Sequence, residues 1–133
     1  VWAAGVLLCA CARVPLATDV NPSGILADNG ETARRLTEQE LKQQLAGSTV
    51  TSIVPVGLQD LSTPEQFNRD GTYIRYADNA EIEGHYTVKD GMVCVNEVIH
   101  PEYCRFILVD KNGKFYTSSS RFPTRLHPVT IRR

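Results

Sequence analysis

The chain has 133 residues, a formal net charge of −1, and 42% hydrophobic against 22% charged residues. That is the make-up of one ordinary globular domain; it is too short for two and exerts no general electrostatic pull on nucleic acid or acidic membranes. Charge is uneven only at the end, where Arg121, Arg125, Arg132 and Arg133 come with no acid among them. Separated charges of this kind read as a solvated end that complements an acidic body, so no nucleic-acid partner is expected.

Residues 1–12 (VWAAGVLLCACA) are apolar throughout, and Arg13 and Pro15 end the run. A bilayer-spanning helix takes about 20 apolar residues, so the segment reads as the apolar region of an export signal. Two processing sites compete. Ala10 and Ala12 make the small-x-small pattern of ordinary cleavage after Ala12. Alternatively, Leu8-Cys9-Ala10-Cys11 resembles the lipobox of bacterial lipoproteins, in which a leucine stands three residues before a cysteine that is lipidated and becomes the new N-terminus. Cys9 departs from the small or aliphatic residue usual at its position. On this reading Cys11 is the lipidation site and residues 13–35, which carry turn formers without a helical or strand period, are a flexible tether.

A folded domain is expected over residues 36–133. It opens with a short helix: Thr37 and Glu40 form the capping box T-E-Q-E, and Leu36 and Leu41 stand as a hydrophobic staple around the cap. Leu41 and Leu45 share one face, and Gly47 suits the left-handed position after the last turn. Eight or so residues cannot hold a helix alone, so the leucine face must dock on something.

From Thr49 the pattern becomes that of strands. Residues 49–56 (TVTSIVPV) are rich in β-branched side chains, with Pro55 marking an edge or an end. Asp70-Gly71, Asp90-Gly91 and Asn112-Gly113 each predict a tight hairpin. Asp78-Asn79 adds a turn, and residues 99–102 a loop. The outcome is a mainly β domain, one short helix followed by an antiparallel meander of about seven strands. A two-residue turn at Asp70-Gly71 sets Phe67 opposite Ile74; one at Asp90-Gly91 sets Val88 opposite Val93 and Tyr86 opposite Val95. A hairpin centred on Ile99 brings Cys94 opposite Cys104, within reach of a cross-strand disulfide. Apolar residues then fall on both faces of the central strands, which suits a small barrel or strongly curved, doubly covered sheet.

No catalytic constellation stands out. His85, His100 and His127 never take metal-ligand spacing, although Glu81, Glu83 or Glu102 would complete a zinc site if the fold gathered them. Ser118, Ser119 and Ser120 lack a nucleophile elbow. Cys94 and Cys104 are each other's natural partner rather than nucleophiles. Glu81 and Glu83 share a strand face, whereas glycosidase carboxylates face each other across a cleft. No cofactor, catalytic residue or metal ligand is expected.

The order L-T-x-x-E-L-x-x-x-L-x-G-x-T over residues 36–49, D-G-T at 70–72, G-x-Y-x-V-x-D-G-x-V-C at 84–94, and a second cysteine followed by D-x-x-G-x-x-Y at 110–116 is similar to a group of small exported proteobacterial proteins of unknown function. The resemblance covers about two-thirds of the chain. Its elements are a cap, turns and a cysteine pair, so it implies a fold and an exported compartment, and no reaction. The reading is therefore an exported, periplasmic β-domain, lipid-anchored to a membrane, acting as a non-enzymatic binding or structural module for an envelope protein or other envelope component. The alternative is a lipocalin-like carrier of a small apolar ligand. A hydrolase acting on cell-wall or polysaccharide material through His85 with Glu81 or Glu83 comes third.

Overall fold

The computed structural model of the protein describes residues 25–26, 32–56 and 59–133. The signal-like segment, Cys9 and Cys11 lie outside the described residues. Among the described residues one helix, α1 (Glu38–Leu45), is preceded by two short strands, β1 (Ile25–Leu26) and β2 (Thr32–Arg35). It is followed by β3 (Ser48–Val56), β4 (Gln59–Phe67), β5 (Thr72–Ala77), β6 (Ala80–Lys89), β7 (Met92–Glu97), β8 (His100–Asp110), β9 (Phe115–Ser119) and β10 (His127–Arg132). From β3 onward each strand pairs antiparallel with the next, and β10 returns to pair with β3. The meander thus closes into an eight-stranded up-and-down barrel, which leaves no free edge in the closed wall.

The helix plugs one end. Thr37 Oγ1 accepts from Glu40 N–H at 3.2 Å and Glu40 Oε1 accepts from Thr37 N–H at 2.9 Å, so the capping box forms as the sequence predicts. Arg34 clamps the same carboxylate with two bonds of 2.9 Å. Leu36, Leu41 and Leu45 are buried among Val50, Phe67, Tyr73 and Val93 in the barrel core. Burial of one such leucine contributes roughly 1.5–3 kcal/mol, more than any cap, so docking rather than propensity holds this helix. Its C-terminal carbonyls are met from the far end of the chain: Arg133 donates to the carbonyls of Ala46, at 3.1 Å, and Gln43. One arginine of the basic end is thereby a helix cap rather than a free charge.

The turns decide which residues face inward. Asp90 and Gly91 both take positive φ (54° and 72°), giving the expected two-residue turn with Val88 opposite Val93 and Tyr86 opposite Val95. At Asp70-Gly71 only the glycine does, with φ 91°. Asn68 N–H bonds Thr72 O and Gly71 N–H bonds Asn68 O, so this hairpin has a three-residue loop. Phe67 therefore faces Tyr73, and Ile74 faces Gln66, a one-residue correction to the predicted register. Asn112-Gly113 repeats the same design: Gly113 N–H bonds Asp110 O, and Asp110 N–H bonds Lys114 O.

The β7–β8 hairpin differs from expectation in another way. Cys94 does pair with Cys104, but residues 100–102 are strand rather than loop and the turn contracts to Val98-Ile99. The three residues from Val95 to Glu97 oppose the four from His100 to Tyr103, so the extra residue is a bulge in β8 around Pro101. Proline cannot donate to a ladder, which is why the irregularity falls there. The neighbouring β6 backbone comes so close that a Cβ on Gly84 would stand 2.2 Å from Asn96 O.

Three strands lie beyond the predicted set, and two of them, β1 and β2, pair with each other within residues 13–35, which the sequence reads as a tether. Strand β2 precedes residue 36, pairing Ala33 with Asp110 and Arg35 with Leu108. It covers an outer cluster of Ala33, Leu108, Tyr116 and Leu126, with Arg35 stacked 3.9 Å over the Phe106 ring. Strand β10 closes the wall with Val129 and Ile131 turned to the core. Thr37→Ala is expected to lower stability by about 1 kcal/mol through loss of the cap; chemical denaturation should show a shifted midpoint at unchanged slope.

Candidate functional site

At the end away from α1 the barrel opens into a cavity of ≈ 510 Å³. Its floor is built by inward positions of four strands. On β4 the period-two alternation that buries Phe67 also turns Glu65 inward, and on β5 the position after Tyr73 on the same face is Arg75. On β7 the alternation that buries Val93 and Val95 ends in Glu97, and on β8 Arg105 is inward beside Ile107.

Strands β4 and β8 stand four places apart around an eight-stranded wall, so Glu65 and Arg105 meet across the barrel. Arg105 Nη2 donates to Glu65 Oε1 at 2.7 Å, and the Tyr73 hydroxyl donates to Glu65 Oε2 at 2.5 Å. Both charged residues are more than nine-tenths buried. Burial pulls the Arg105 guanidinium down, but Glu65 beside it outweighs this and leaves it above its ordinary value. Burial, with Glu65 adding, pushes the Tyr73 hydroxyl far up, so it stays a proton donor. Beneath this layer the packing is apolar: Phe67 makes edge contacts with the rings of Tyr73 and Tyr86, at 5.1 and 5.0 Å between centroids.

Nearer the mouth Arg75 forks onto Glu97, Nε to Oε2 at 2.6 Å and Nη2 to Oε1 at 2.9 Å. These bonds hold the Glu97 carboxyl below its usual range. His100 Nδ1 lies 3.1 Å from Glu97 Oε1. The β8 bulge sets His100, Pro101, Glu102 and Tyr103 all on the cavity rim. Tyr103 is half exposed there, and the turn residues Val98 and Ile99 beside it are 86% and 64% exposed.

The sequence-predicted residues fall mostly elsewhere. Cys94 and Cys104 are bonded as expected, on the outer face of β7 and β8, next to but not within the cavity. With Glu102 they form a group of metal-ligand types, but both sulfurs are spent in the disulfide. A bond of this kind points to a compartment outside the cytoplasm. Glu81, Glu83 and His85 are exposed on β6 and line no part of the cavity, and His85 has the Asp70 carboxylate as a charged neighbour. Of the three histidines, His100 alone reaches the rim. Ser118 is buried on the outer face with its hydroxyl unpartnered, and Ser119 accepts from Phe122 N–H.

Glu65, Arg75, Glu97 and Arg105 are site residues that sequence reasoning missed. Their one signal is a charge on the apolar face of a strand, and that can be read only once register is known. With Phe67 set opposite Ile74, β5 would have turned Arg75 outward.

No protein-family model, curated protein or solved structure matches this chain. Of what the sequence resemblance implies, the structure bears out a small barrel carrying a disulfide.

Removing one partner of a buried pair strands the other charge. Glu65→Gln is therefore expected to cost about 3 kcal/mol, with Glu65→Leu/Arg105→Met recovering most of it. Urea unfolding of the three proteins measures both numbers.

Proposed function

We propose that this chain is a non-enzymatic binding module of the bacterial envelope whose ligand is a small molecule held in the mouth of the barrel. The observation that carries this reading is the cavity, whose ≈ 510 Å³ falls within the range of small-molecule sites. It is walled by fixed strands and floored by charged groups already locked in place by one another, as a preorganised site requires. This favours the carrier reading over a purely structural module. It also shifts the ligand's character, because a floor of two arginines and two glutamates suits a molecule with a polar end rather than a wholly apolar one.

The test is occupancy. Protein exported in its native host and analysed by native mass spectrometry is expected to carry a small adduct that denaturation releases. Thr63→Trp, which places a bulky side chain on the cavity wall, should abolish it. Identical, unadorned masses for both proteins, together with identical thermal responses to a small-molecule library, would count against the reading.

The module is further proposed to be exported and held on a membrane by lipid on Cys11, with the residues between Cys11 and β1 joining the anchor to the domain. The disulfide supports the exported compartment; the lipobox-like residues Leu8 to Cys11 support the anchor. Several acyl chains on one cysteine anchor stably, where a single chain does not. Cys11→Ser should move the protein from the membrane fraction to the soluble periplasm without altering its thermal stability. An unmodified N-terminus at Arg13 in the native protein would instead establish ordinary cleavage.

A further inference from the structure

We infer that the occupant of the mouth cavity is an amphipathic monocarboxylate, its carboxylate lying toward Arg75 and Arg105 and its apolar tail leaving past Tyr103 and the Val98-Ile99 turn. This rests on the proposal that the cavity is a ligand site.

The head group follows from hydrogen-bond bookkeeping. The acids of the floor are already served. Glu65 accepts from Arg105 on one oxygen and from Tyr73 on the other. Glu97 accepts from Arg75 on both, with His100 against Oε1. The arginines are not served. A guanidinium carries five N–H donors and no acceptor. Arg105 bonds Glu65 through Nη2 and its buried Nε has no partner; Arg75 bonds Glu97 through Nε and Nη2, leaving Nη1. The site is therefore rich in donors and short of acceptors, and a ligand must bring acceptor oxygens.

Charge narrows the choice. Arg75 and Arg105 balance Glu65 and Glu97, and the rim carboxylate Glu102 is taken up by Lys89 and Asn96, so the lining offers no surplus of positive charge to hold a dianion such as a phosphate monoester. A single carboxylate matches the fork of a guanidinium in shape and adds one charge only. A cationic head would find both glutamates occupied by arginine and would face two guanidinium groups.

The tail follows from the rim. Val95, Pro101 and Tyr103 line the cavity, and the exposed Val98 and Ile99 continue an apolar track at the tip of the same hairpin. Exposed apolar side chains beside a pocket are the expected companions of a ligand whose far end is apolar.

The experiment is isothermal titration calorimetry of the full folded chain with three probes of one tail length, decanoate, 1-decanol and decyltrimethylammonium, each below its micelle concentration. Decanoate is expected to bind at least tenfold more tightly than either of the others. Arg75→Gln should weaken decanoate about tenfold and leave decanol unchanged, and Arg75→Lys, which keeps the charge, should lose less. Thermal melts check that both variants are folded, and the wild-type ranking stands whether or not they are. Decanol or the cationic probe binding as well as decanoate would overturn the carboxylate assignment while leaving the cavity a ligand site. Absence of binding by all three overturns this inference alone if an endogenous adduct is still found by native mass spectrometry. If no adduct is found either, the cavity reading falls with it.

Discussion

The Glu65–Arg105 pair divides this barrel into two solvents. Two charges taken out of water cost several kcal/mol each, and their attraction repays that only with good geometry and further hydrogen bonds. Here the 2.7 Å contact and the Tyr73 hydroxyl supply both. Because the partners come from opposite walls, the pair also spans the barrel. Below it the aromatic and aliphatic core packs against the helix; above it lies the cavity. Arg105 lies 5.9 Å from the centroid of the Phe67 ring, so the charged layer rests directly on the apolar one. Cavity depth is thus set by a polar contact rather than by a shortage of apolar side chains to fill the space.

The rest of the architecture keeps those walls at fixed separation. Strand β10 closes the sheet, and Arg133 at its end ties the closure to the carbonyl end of α1. The plug and the last strand therefore stabilise each other although they are far apart in sequence. On the outer surface, β2 covers an apolar patch that the barrel wall would otherwise expose. The disulfide joins β7 to β8 just below the bulge that gathers His100, Pro101 and Tyr103 on the rim. A covalent link beside an irregular ladder holds register where the hydrogen bonds specify it least. One staple on the outside thereby supports the lip of the site on the inside.

The charged residues of the cavity are engaged with one another. They neutralise each other in pairs, and Tyr73 is held protonated by burial and by Glu65. What remains open is a set of oriented N–H donors under an apolar rim. Such an arrangement can fix the orientation of a molecule that has one polar and one apolar end.

The capping box at Thr37, the two-residue turn at Asp90-Gly91, the facing of Cys94 and Cys104 and the meander of hairpins were all determined by the sequence itself. Each depends on groups a few residues apart, or on a period of two carried across a short turn, so local chemistry suffices. The three-residue loop at Asp70-Gly71 was not legible, because the same dipeptide serves two hairpin geometries that differ by one residue in register. That single residue decides whether Tyr73 and Arg75 face the interior or the solvent. Strand β10 was equally hidden: no tight turn announces it, and Pro128 breaks the run that Val129 and Ile131 make. Only the tertiary structure could bring Glu65 to Arg105, since their contact spans 40 residues and depends on the wall curling until opposite strands meet. Closure of the sheet, not any motif along the chain, is what gathered four scattered charges into the floor of one cavity.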